Sequence, residues 1–346
     1  MEQKLLSVSI AAYNAAWCLS ECIESFLMCN NKNWIELIVV NDGSTDETLK
    51  IAEKYQFQYP QIVRVIDKQN GGHGSTVNAA IEASKGKYFK VVDSDDTVDV
   101  AGLNDLMCEL RQTNADILLS PYYQVNVKNQ TRKIQNYWPS QIPVQQYTGK
   151  DMDIEKVFLP IRLAMHAITY KTELLKKNQF RLDENCFYVD TEYTMGYLQD
   201  IKAIRFTTAP VYNYNVGFKT QSVERTNMFK RIDQFSKVAN TLVDYYKNEQ
   251  SNMNEAQKEL FRWNFCDMLL LSYYQLLLLH KDSKKAKQML INLEKRIKEV
   301  SEELYESIPE YFKNQNSKLS FILPLLRKQD YKLFNIIHFA SSIFMK

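Results

Sequence analysis

The first third of the chain alternates between short apolar runs rich in β-branched residues and segments with helical periodicity. The apolar runs, which predict buried strands, cover residues 5–12, 36–40, 62–66 and 88–92. Between them, the spacing of apolar residues predicts a helix over 18–28, a second helix capped by Ser44 or Thr45, and a third over about 75–84. Strands that alternate with helices in this way predict an α/β fold with a doubly wound, mostly parallel sheet.

Polar residues follow three of the four predicted strands. Tyr13 and Asn14 come after the first strand, Asp42 and Gly43 after the second, and residues 93–96 after the fourth. In sheets of this type, ligands bind outside the carboxyl ends of the strands, where the strand order reverses. Any one of these groups could be a surface turn, but three of them at strand ends predict a single ligand site.

The stretch "KVVDSDDT" places three carboxylates directly after the fourth predicted strand. Asp93 and Asp95 can share one divalent cation, Mn²⁺ or Mg²⁺, with room for the phosphates of a substrate. The alternative is a helix cap at the helix predicted to begin near Val98, which needs one aspartate and leaves Asp93 unexplained. We therefore predict a metal site at Asp93 and Asp95, and we expect Asp96 to cap the helix.

The loop "NGGHGSTVN" holds three of the nine glycines of the chain. Glycines that open a helix let backbone N–H groups face a phosphate, so the loop resembles an anion cradle. It matches neither the phosphate-loop pattern nor the dinucleotide-binding pattern of glycines, and a plain turn fits it equally well. The ring of His73 would touch a ligand or metal in the first case, and would be a solvated side chain in the second.

A second acidic stretch, "FYVDTEY", contains Asp190 and Glu192. A carboxylate in a cleft can act as a general base on a hydroxyl group. The residue types alone fit equally well a surface acidic pair or a helix cap, so both interpretations stay open at this point.

The composition excludes several classes of protein. The chain of 346 residues has 43 basic and 41 acidic residues and a net charge of +2, which gives no reason to expect a nucleic-acid partner. Six cysteines without a CxxC pair predict buried, reduced thiols. The longest apolar stretch, 268–279, is shorter than the roughly 20 residues of a membrane span. Without a recognisable signal peptide, we expect a cytoplasmic protein.

The character of the sequence changes near residue 227. Beyond that point glycine is absent, and residues rich in Lys, Glu, Leu and Tyr predict helices. We therefore predict two domains, 1–226 and 227–346. The apolar end, 331–346, either packs on its own core or lies on a partner surface or on the inner face of a membrane, and the helical domain could also form a homodimer.

Four segments in this order resemble the family 2 glycosyltransferases: "VSIAAYNAAWCLSECIESF", "IELIVVNDGSTDET", "NGGHGSTVNAAIEASKGKYFKVVDSDD" and "FYVDTEYTMGYL". The resemblance covers about residues 5–225. It implies the GT-A nucleotide-diphospho-sugar transferase fold, with a Rossmann-like mixed sheet that is mostly parallel, followed here by a C-terminal helical region. It further implies a bacterial enzyme that transfers a sugar from a UDP-sugar with inversion and depends on a divalent metal.

The resemblance also implies roles for single residues. Tyr13 would pack on the uracil and Asp42 would accept its N3–H. Asp93 would lie near the ribose and the metal, Asp95 would bind the metal, and Asp190 would be the catalytic base. The family usually has Glu-Asp at the last position, where this chain has Val189-Asp190. The remaining donor contacts implied are Ala11, Asn14, Gly71, Gly74, Asn78, Ser94, Gln221 and Ser222.

The leading hypothesis is therefore the transfer of a hexose or N-acetylhexosamine to a hydroxyl of a cell-surface glycan, a lipid-linked glycan or a glycoprotein. One alternative is a sugar nucleotidyltransferase, for which we would expect a glycine-rich loop with a basic residue after the first strand. The chain has Ala11-Ala12-Tyr13-Asn14 there. The other alternative is a carbohydrate-binding scaffold with the same fold and no activity.

Overall fold

A computed structural model describes residues 4–136, 138, 148–157, 160–217 and 225–344. The chain divides into two compact units, Met1–Lys219 and Thr220–Lys346. The break between them precedes the domain boundary expected at residue 226.

The first unit combines strands and helices. Its strands are β1 (Leu6–Ala12), β2 (Ile35–Asp42), β3 (Val63–Lys68), β4 (Tyr88–Asp93), β5 (Thr97–Val98), β6 (Ile117–Leu119), β7 (Tyr122–Asn126), β8 (Thr131–Gln135), β9 (Asp151–Asp153), β10 (Ile168–Lys171), β11 (Ala203–Phe206) and β12 (Tyr212–Val216). Its α-helices are α1 (Leu19–Leu27), α2 (Thr48–Gln58), α3 (Gly72–Ala83), α4 (Val100–Gln112), α5 (Thr172–Lys177) and α6 (Asp190–Met195).

Within the described residues, the strands form two sheets. The larger has the order β3-β2-β1-β4-β10-β6-β11-β9, and the smaller has the order β5-β12-β7-β8. In the larger sheet, β1 pairs in parallel with β2 and β4, and β2 pairs in parallel with β3. β10 runs antiparallel to both β4 and β6. The mixed, mostly parallel sheet expected from the sequence is therefore confirmed.

The central strands are buried along their length, as strands covered by helices on both faces should be. All eight residues of β2 are buried, although one of them is Glu36. The Glu36 carboxylate accepts hydrogen bonds from the Gly86 amide at 3.1 Å, from the Lys85 amide and from the Ser7 hydroxyl at 2.5 Å. These bonds compensate for the burial of the carboxylate and tie the start of β4 to β1 and β2.

The strand order places the polar strand ends together. β1 lies between β2 and β4, so the order reverses at β1, and all three strands end at the same edge of the sheet. Ala11 pairs in register with Asp93, and Ala12 pairs with Asn41. The predicted site residues after β1, β2 and β4 therefore lie side by side.

The cap predicted for α2 is wrong. The helix begins at Thr48, and neither Ser44 nor Thr45 caps it. Asp46 instead accepts the Thr48 amide at 3.0 Å, while the Thr45 amide donates to Asn14 across the loop at 2.9 Å. Contacts with a residue 31 positions away, rather than local propensity, decide how this loop folds.

Helix α4 begins at a close contact with the segment before β12. Asp99 caps the helix by accepting the Gly102 amide at 2.8 Å. A Cβ atom on Gly102 would lie 1.8 Å from the Pro210 carbonyl oxygen, so only glycine fits here without movement of the backbone. This contact seats α4 against the residues that lead into β12.

We expect Gly102→Ala to destabilise the protein by about 1–3 kcal/mol, because the added methyl group overpacks the contact with Pro210. Helix propensity alone predicts the opposite sign, since alanine is favoured over glycine inside a helix by about 1 kcal/mol. Urea unfolding measures the difference. The control is Ala101→Ser at the exposed neighbouring position, where a change within about 0.5 kcal/mol is expected. A stabilised Gly102→Ala variant would contradict the contact.

The second unit is helical, as predicted. Its helices are α7 (Arg225–Lys230), α8 (Ile232–Glu249), α9 (Glu255–Met268), α10 (Tyr274–Leu279), α11 (Ser283–Val300), α12 (Glu302–Asn314), α13 (Leu319–Lys328) and α14 (Phe334–Phe344), with a π-helical turn at Leu269–Tyr273 between α9 and α10. A buried ion pair joins α11 and α13: Arg327 Nε lies 2.6 Å from Glu294 Oε2. None of the described helices is long and apolar enough to span a membrane.

Candidate active site

Asp42 holds the glycine loop in place. Its Oδ1 accepts hydrogen bonds from the Gly71 amide and from Lys68 Nζ, both at 2.9 Å, and its Oδ2 accepts the Gly72 amide at 2.8 Å. The side chain is buried, so these bonds compensate for its desolvation. Two N–H groups of the loop therefore face a carboxylate of the protein, whereas the anion-cradle interpretation directed them at a phosphate.

Helix α3 packs against the segment that leads to Asp190. The Asn78 side-chain amide donates to the Leu182 carbonyl at 2.9 Å and accepts the Leu182 amide at 3.1 Å. A Cβ atom on Gly74 would lie 2.2 Å from the Asp183 carbonyl oxygen. Gly74 and Asn78 thus have structural roles that need no ligand. Their binding roles, and that of Gly71, stay predictions.

The residues after β1 form a strained turn at the sheet edge. Asn14 has a φ of 49°, in the left-handed region, and its amide donates to Ser44 Oγ at 3.0 Å. The turn leaves Tyr13 55% exposed. An exposed ring beside the ends of β1 and β2 is placed where it could stack on a ligand.

Asp93 pairs with His73, a residue to which sequence reasoning gave no definite role. His73 Nε2 lies 3.0 Å from Asp93 Oδ1. Burial alone would lower the pKa of His73, but the hydrogen bond and charge of Asp93, with the charges of Asp190 and Asp42, raise it above its ordinary value. Burial alone would raise the pKa of Asp93, but the hydrogen bond and charge of His73 lower it below its ordinary value.

Asp96 does not cap α4, so the predicted cap is wrong; Asp99 has that role. Asp96 is buried, with its Oδ2 accepting the Tyr212 hydroxyl at 2.6 Å and its Oδ1 accepting the Asn215 amide at 2.7 Å. Burial and the charges of Asp93 and Asp95 raise its pKa. The carboxylate thus connects the end of β4 to β12.

Asp95 and Ser94 complete the turn after β4. Burial and the charge of Asp93 raise the pKa of Asp95 to about 6. The Asp95 carbonyl accepts from the Asn215 side chain at 2.8 Å. Ser94 hydrogen-bonds the thiol of Cys18, whose pKa burial raises to about 12. Neither contact occupies the Asp95 carboxylate.

Asp190 and Glu192 have different surroundings. Glu192 is fully buried, and its Oε2 accepts the Asp183 amide at 2.8 Å, which excludes a surface acidic pair. Asp190 begins α6 and is open to solvent. The protein atoms around its carboxyl displace part of the surrounding water, and this desolvation raises the pKa of Asp190. The charge of His73 opposes the rise, and that of Asp93 adds to it. Tyr188, two residues before Asp190, has a φ of 68°.

One group of side chains fits a divalent cation. Single donor atoms of Asp93, Asp96 and His166 all lie within 4.8 Å of one another. Among the described residues, buried His166 Nδ1 has no hydrogen-bond partner. Burial lowers the pKa of His166 to about 4, with the charge of Asp93 opposing and that of Lys90 adding to the effect. Nitrogen and carboxylate donors suit cations such as Mn²⁺. Asp95, the predicted ligand, is not in this group.

Carboxylates from three parts of the chain therefore lie near His73. Asp42 ends β2, Asp93 ends β4 and Asp190 begins α6. The charges of all three raise the pKa of His73. Gln221 and Ser222, the remaining predicted donor contacts, lie outside the described residues. Their roles stay predictions.

Comparison with known proteins shows what the first unit is similar to. Residues 7–166 match the profile "Glycosyl transferase family 2". The uncharacterized glycosyltransferase YibD of Escherichia coli (strain K12) is 28% identical over 218 residues, which cover 60% of this chain and 60% of that protein. The uncharacterized glycosyltransferase EpsJ of Bacillus subtilis (strain 168) is 29% identical over 215 residues, 61% of this chain and 60% of EpsJ. The chain thus spans less than two thirds of these relatives.

A solved structure shares the fold. The crystal structure of S. aureus TarS 1–349 in complex with UDP-GlcNAc superposes with a TM-score of 0.66 at 22% identity, and the match covers 87% of this chain and 82% of that one. At this identity the likeness concerns the fold, which is the GT-A fold expected from the sequence.

Proposed function

Because residues 7–166 match the profile "Glycosyl transferase family 2", we propose that the protein is a member of this family and a metal-dependent, inverting glycosyltransferase. It moves a hexose or N-acetylhexosamine from a UDP-sugar to a hydroxyl of a cell-surface glycan or glycoprotein. The observation that carries the proposal is that Asp93 hydrogen-bonds His73 at 3.0 Å, while Asp42 and Asp190 lie near enough for their charges to raise the pKa of His73. A donor nucleotide and a catalytic base need such an arrangement.

The donor lies along the ends of β1, β2 and β4. Tyr13 stacks on the uracil, and Asp42 accepts its N3–H. Three donors already bind the Asp42 carboxylate, which has about four acceptor positions, so one position is left for the uracil. The UDP-GlcNAc bound to the TarS structure supports a UDP-sugar as the donor class.

The acceptor hydroxyl lies at Asp190. A sugar hydroxyl is a poor nucleophile at neutral pH, and a positioned carboxylate takes its proton as the C–O bond forms. The hydroxyl attacks the anomeric carbon on the face opposite the UDP leaving group, so the configuration inverts. A divalent cation, Mn²⁺ or Mg²⁺, held by Asp93 and Asp95 would stabilise the negative charge gained by the departing UDP.

Titration calorimetry with UDP tests the donor site. We expect binding in the presence of Mn²⁺ and much weaker binding after addition of EDTA. The absence of UDP binding in both conditions would contradict the proposal. The runner-up, a sugar nucleotidyltransferase, would instead release pyrophosphate from UTP and a sugar 1-phosphate.

The pH dependence of transfer should report Asp190. A general base must be deprotonated, and the pKa of Asp190 is raised, so kcat/KM should fall at low pH as this carboxyl gains its proton. We expect the acidic limb of the profile at a higher pH than an ordinary aspartate would give. A rate that stays constant down to the range of an ordinary aspartate would remove Asp190 as the base.

Three further predictions remain proposals: contact of the second unit with a membrane, its homodimerisation and the cytoplasmic location of the protein. Three large apolar side chains, Phe321 on α13 and Ile336 and Phe339 on α14, are exposed and support a contact of one of these kinds.

A further inference from the structure

The ring of His166 is fixed by three tyrosines. Its centroid lies 5.1 Å from that of Tyr122, 4.8 Å from that of Tyr212 and 4.3 Å from that of Tyr214. The tyrosines belong to β7 and β12 of the smaller sheet, whereas His166 precedes β10 of the larger one. Such packing leaves the imidazole little freedom to rotate. A metal ligand needs a side chain that is held in this way.

The backbone of His166 is fixed from the other side by a buried lysine. Lys90 lies in the middle of β4 and is fully buried. Its Nζ donates to the His166 carbonyl at 2.8 Å and to the Ile168 carbonyl at 3.2 Å. Because β4 ends at Asp93, Lys90 sets the position of His166 relative to the acidic turn.

The donor atoms of this cluster lie close together. One ligand atom each of Asp93, Asp96 and His166 lies within 4.8 Å of the other two. The Asp96 carboxylate is oriented by Tyr212 and Asn215, as ligating carboxylates usually are by outer hydrogen bonds. Two carboxylates this close repel each other, and a cation bound between them would relieve that repulsion.

We infer that His166 and Asp96 join Asp93 as ligands of the divalent cation. The inference rests on the proposed function for the role of the cation, and Asp95 keeps the place proposed for it above. Four protein ligands leave two positions of an octahedral site for diphosphate oxygens. A nitrogen donor also favours Mn²⁺ over Mg²⁺, which prefers oxygen ligands alone.

Electron spin-echo envelope modulation of bound Mn²⁺ tests the nitrogen ligand directly. We expect the wild-type protein, with Mn²⁺ alone and with Mn²⁺ plus UDP, to show the ¹⁴N modulation of a coordinated imidazole. His166→Phe, which keeps an aromatic ring among the tyrosines, should lose the modulation and bind Mn²⁺ about tenfold or more weakly, as loss of a ligand or its support typically does. Its preference for Mn²⁺ over Mg²⁺ should also fall.

Two histidine variants are controls. His280→Asn changes a histidine of the second unit and should keep the modulation. His73→Asn removes the partner of Asp93 at 3.0 Å and should also keep it, although the affinity for Mn²⁺ changes. Loss of the modulation in His73→Asn, with retention in His166→Phe, would assign the nitrogen to His73 and overturn the inference. Asp96→Asn should weaken Mn²⁺ binding; unchanged binding would remove Asp96 from the site.

The wild-type spectrum tests the nitrogen ligand even if a variant does not fold. Mn²⁺ bound with no nitrogen modulation, or no Mn²⁺ binding at all, overturns the inference. UDP-sugar turnover together with that result leaves the proposed function intact. Modulation in a protein that neither binds UDP nor turns over a UDP-sugar supports the cation site and contradicts the proposed function instead.

Discussion

Replacing Asp190 with asparagine should lower the rate of sugar transfer by about 10²- to 10⁴-fold, the usual contribution of a general base. Asparagine has nearly the same shape as aspartate, but its amide cannot take the proton of the acceptor hydroxyl. Asp190 is open to solvent at the start of α6, so the substitution should leave the fold intact. Steady-state kinetics with the UDP-sugar that the protein uses measure the loss.

UDP binding separates this effect from damage to the donor site. Calorimetry should give the same affinity for UDP with Mn²⁺ in Asp190→Asn as in the wild type, because Asp190 is assigned to the acceptor. The matched control is Asp105→Asn, an exposed aspartate on α4, for which we expect unchanged transfer. Full activity of Asp190→Asn would remove this residue from the mechanism.

Asp95→Ala should abolish both transfer and the Mn²⁺-dependent part of UDP binding. Burial and the charge of Asp93 raise the pKa of this carboxyl, as expected where two carboxylates are held together for a cation. The cation supplies several kcal/mol of charge stabilisation to the departing diphosphate, and a loss of about 4 kcal/mol is about 10³-fold in rate. Transfer assays and calorimetry with and without EDTA measure the two effects.

Comparison of the two variants separates loss of the cation site from loss of the catalytic base. Asp190→Asn should bind UDP normally and Asp95→Ala should not, whereas both should fail to transfer sugar. Binding of UDP by Asp95→Ala that still responds to EDTA like the wild type would show that the cation does not need this carboxylate.

The strands that build the site could be predicted from the sequence because each is a short apolar run ended by polar residues. The fully buried run of β2 and the aspartates at the ends of β2 and β4 are local patterns, and the order of parallel strands brings them to one edge. Asp190 could be named as a candidate from the resemblance, whereas its residue types did not separate a base from a surface pair, and its role as the base stays a prediction.

The helix ends and the partners of the carboxylates could not be predicted in the same way. Asp96 looks like a cap in the sequence, but its partners, Tyr212 and Asn215, come from a strand more than a hundred positions later. The N–H groups of the glycine loop bind Asp42, 29 and 30 positions away. Such contacts depend on the folded sheet, so no local pattern contains them.

His166 and Lys90 show the same limit more strongly. A histidine before a short strand has no motif around it. A lysine inside an apolar run normally indicates that the strand is not fully buried. Only the folded chain places the Lys90 ammonium on the His166 carbonyl, and the imidazole beside Asp93 and Asp96.

The most direct test of the proposed activity is UDP release with Mn²⁺ from UDP-glucose, UDP-galactose, UDP-GlcNAc and UDP-GalNAc. Water can take the place of the acceptor, so slow release is expected even without one. The proposal predicts release from at least one donor by the wild-type protein, loss of that release on addition of EDTA, and a much lower rate in Asp190→Asn. Absence of release from all four donors by a folded protein that contains Mn²⁺, or equal rates in the wild type and Asp190→Asn, would contradict it.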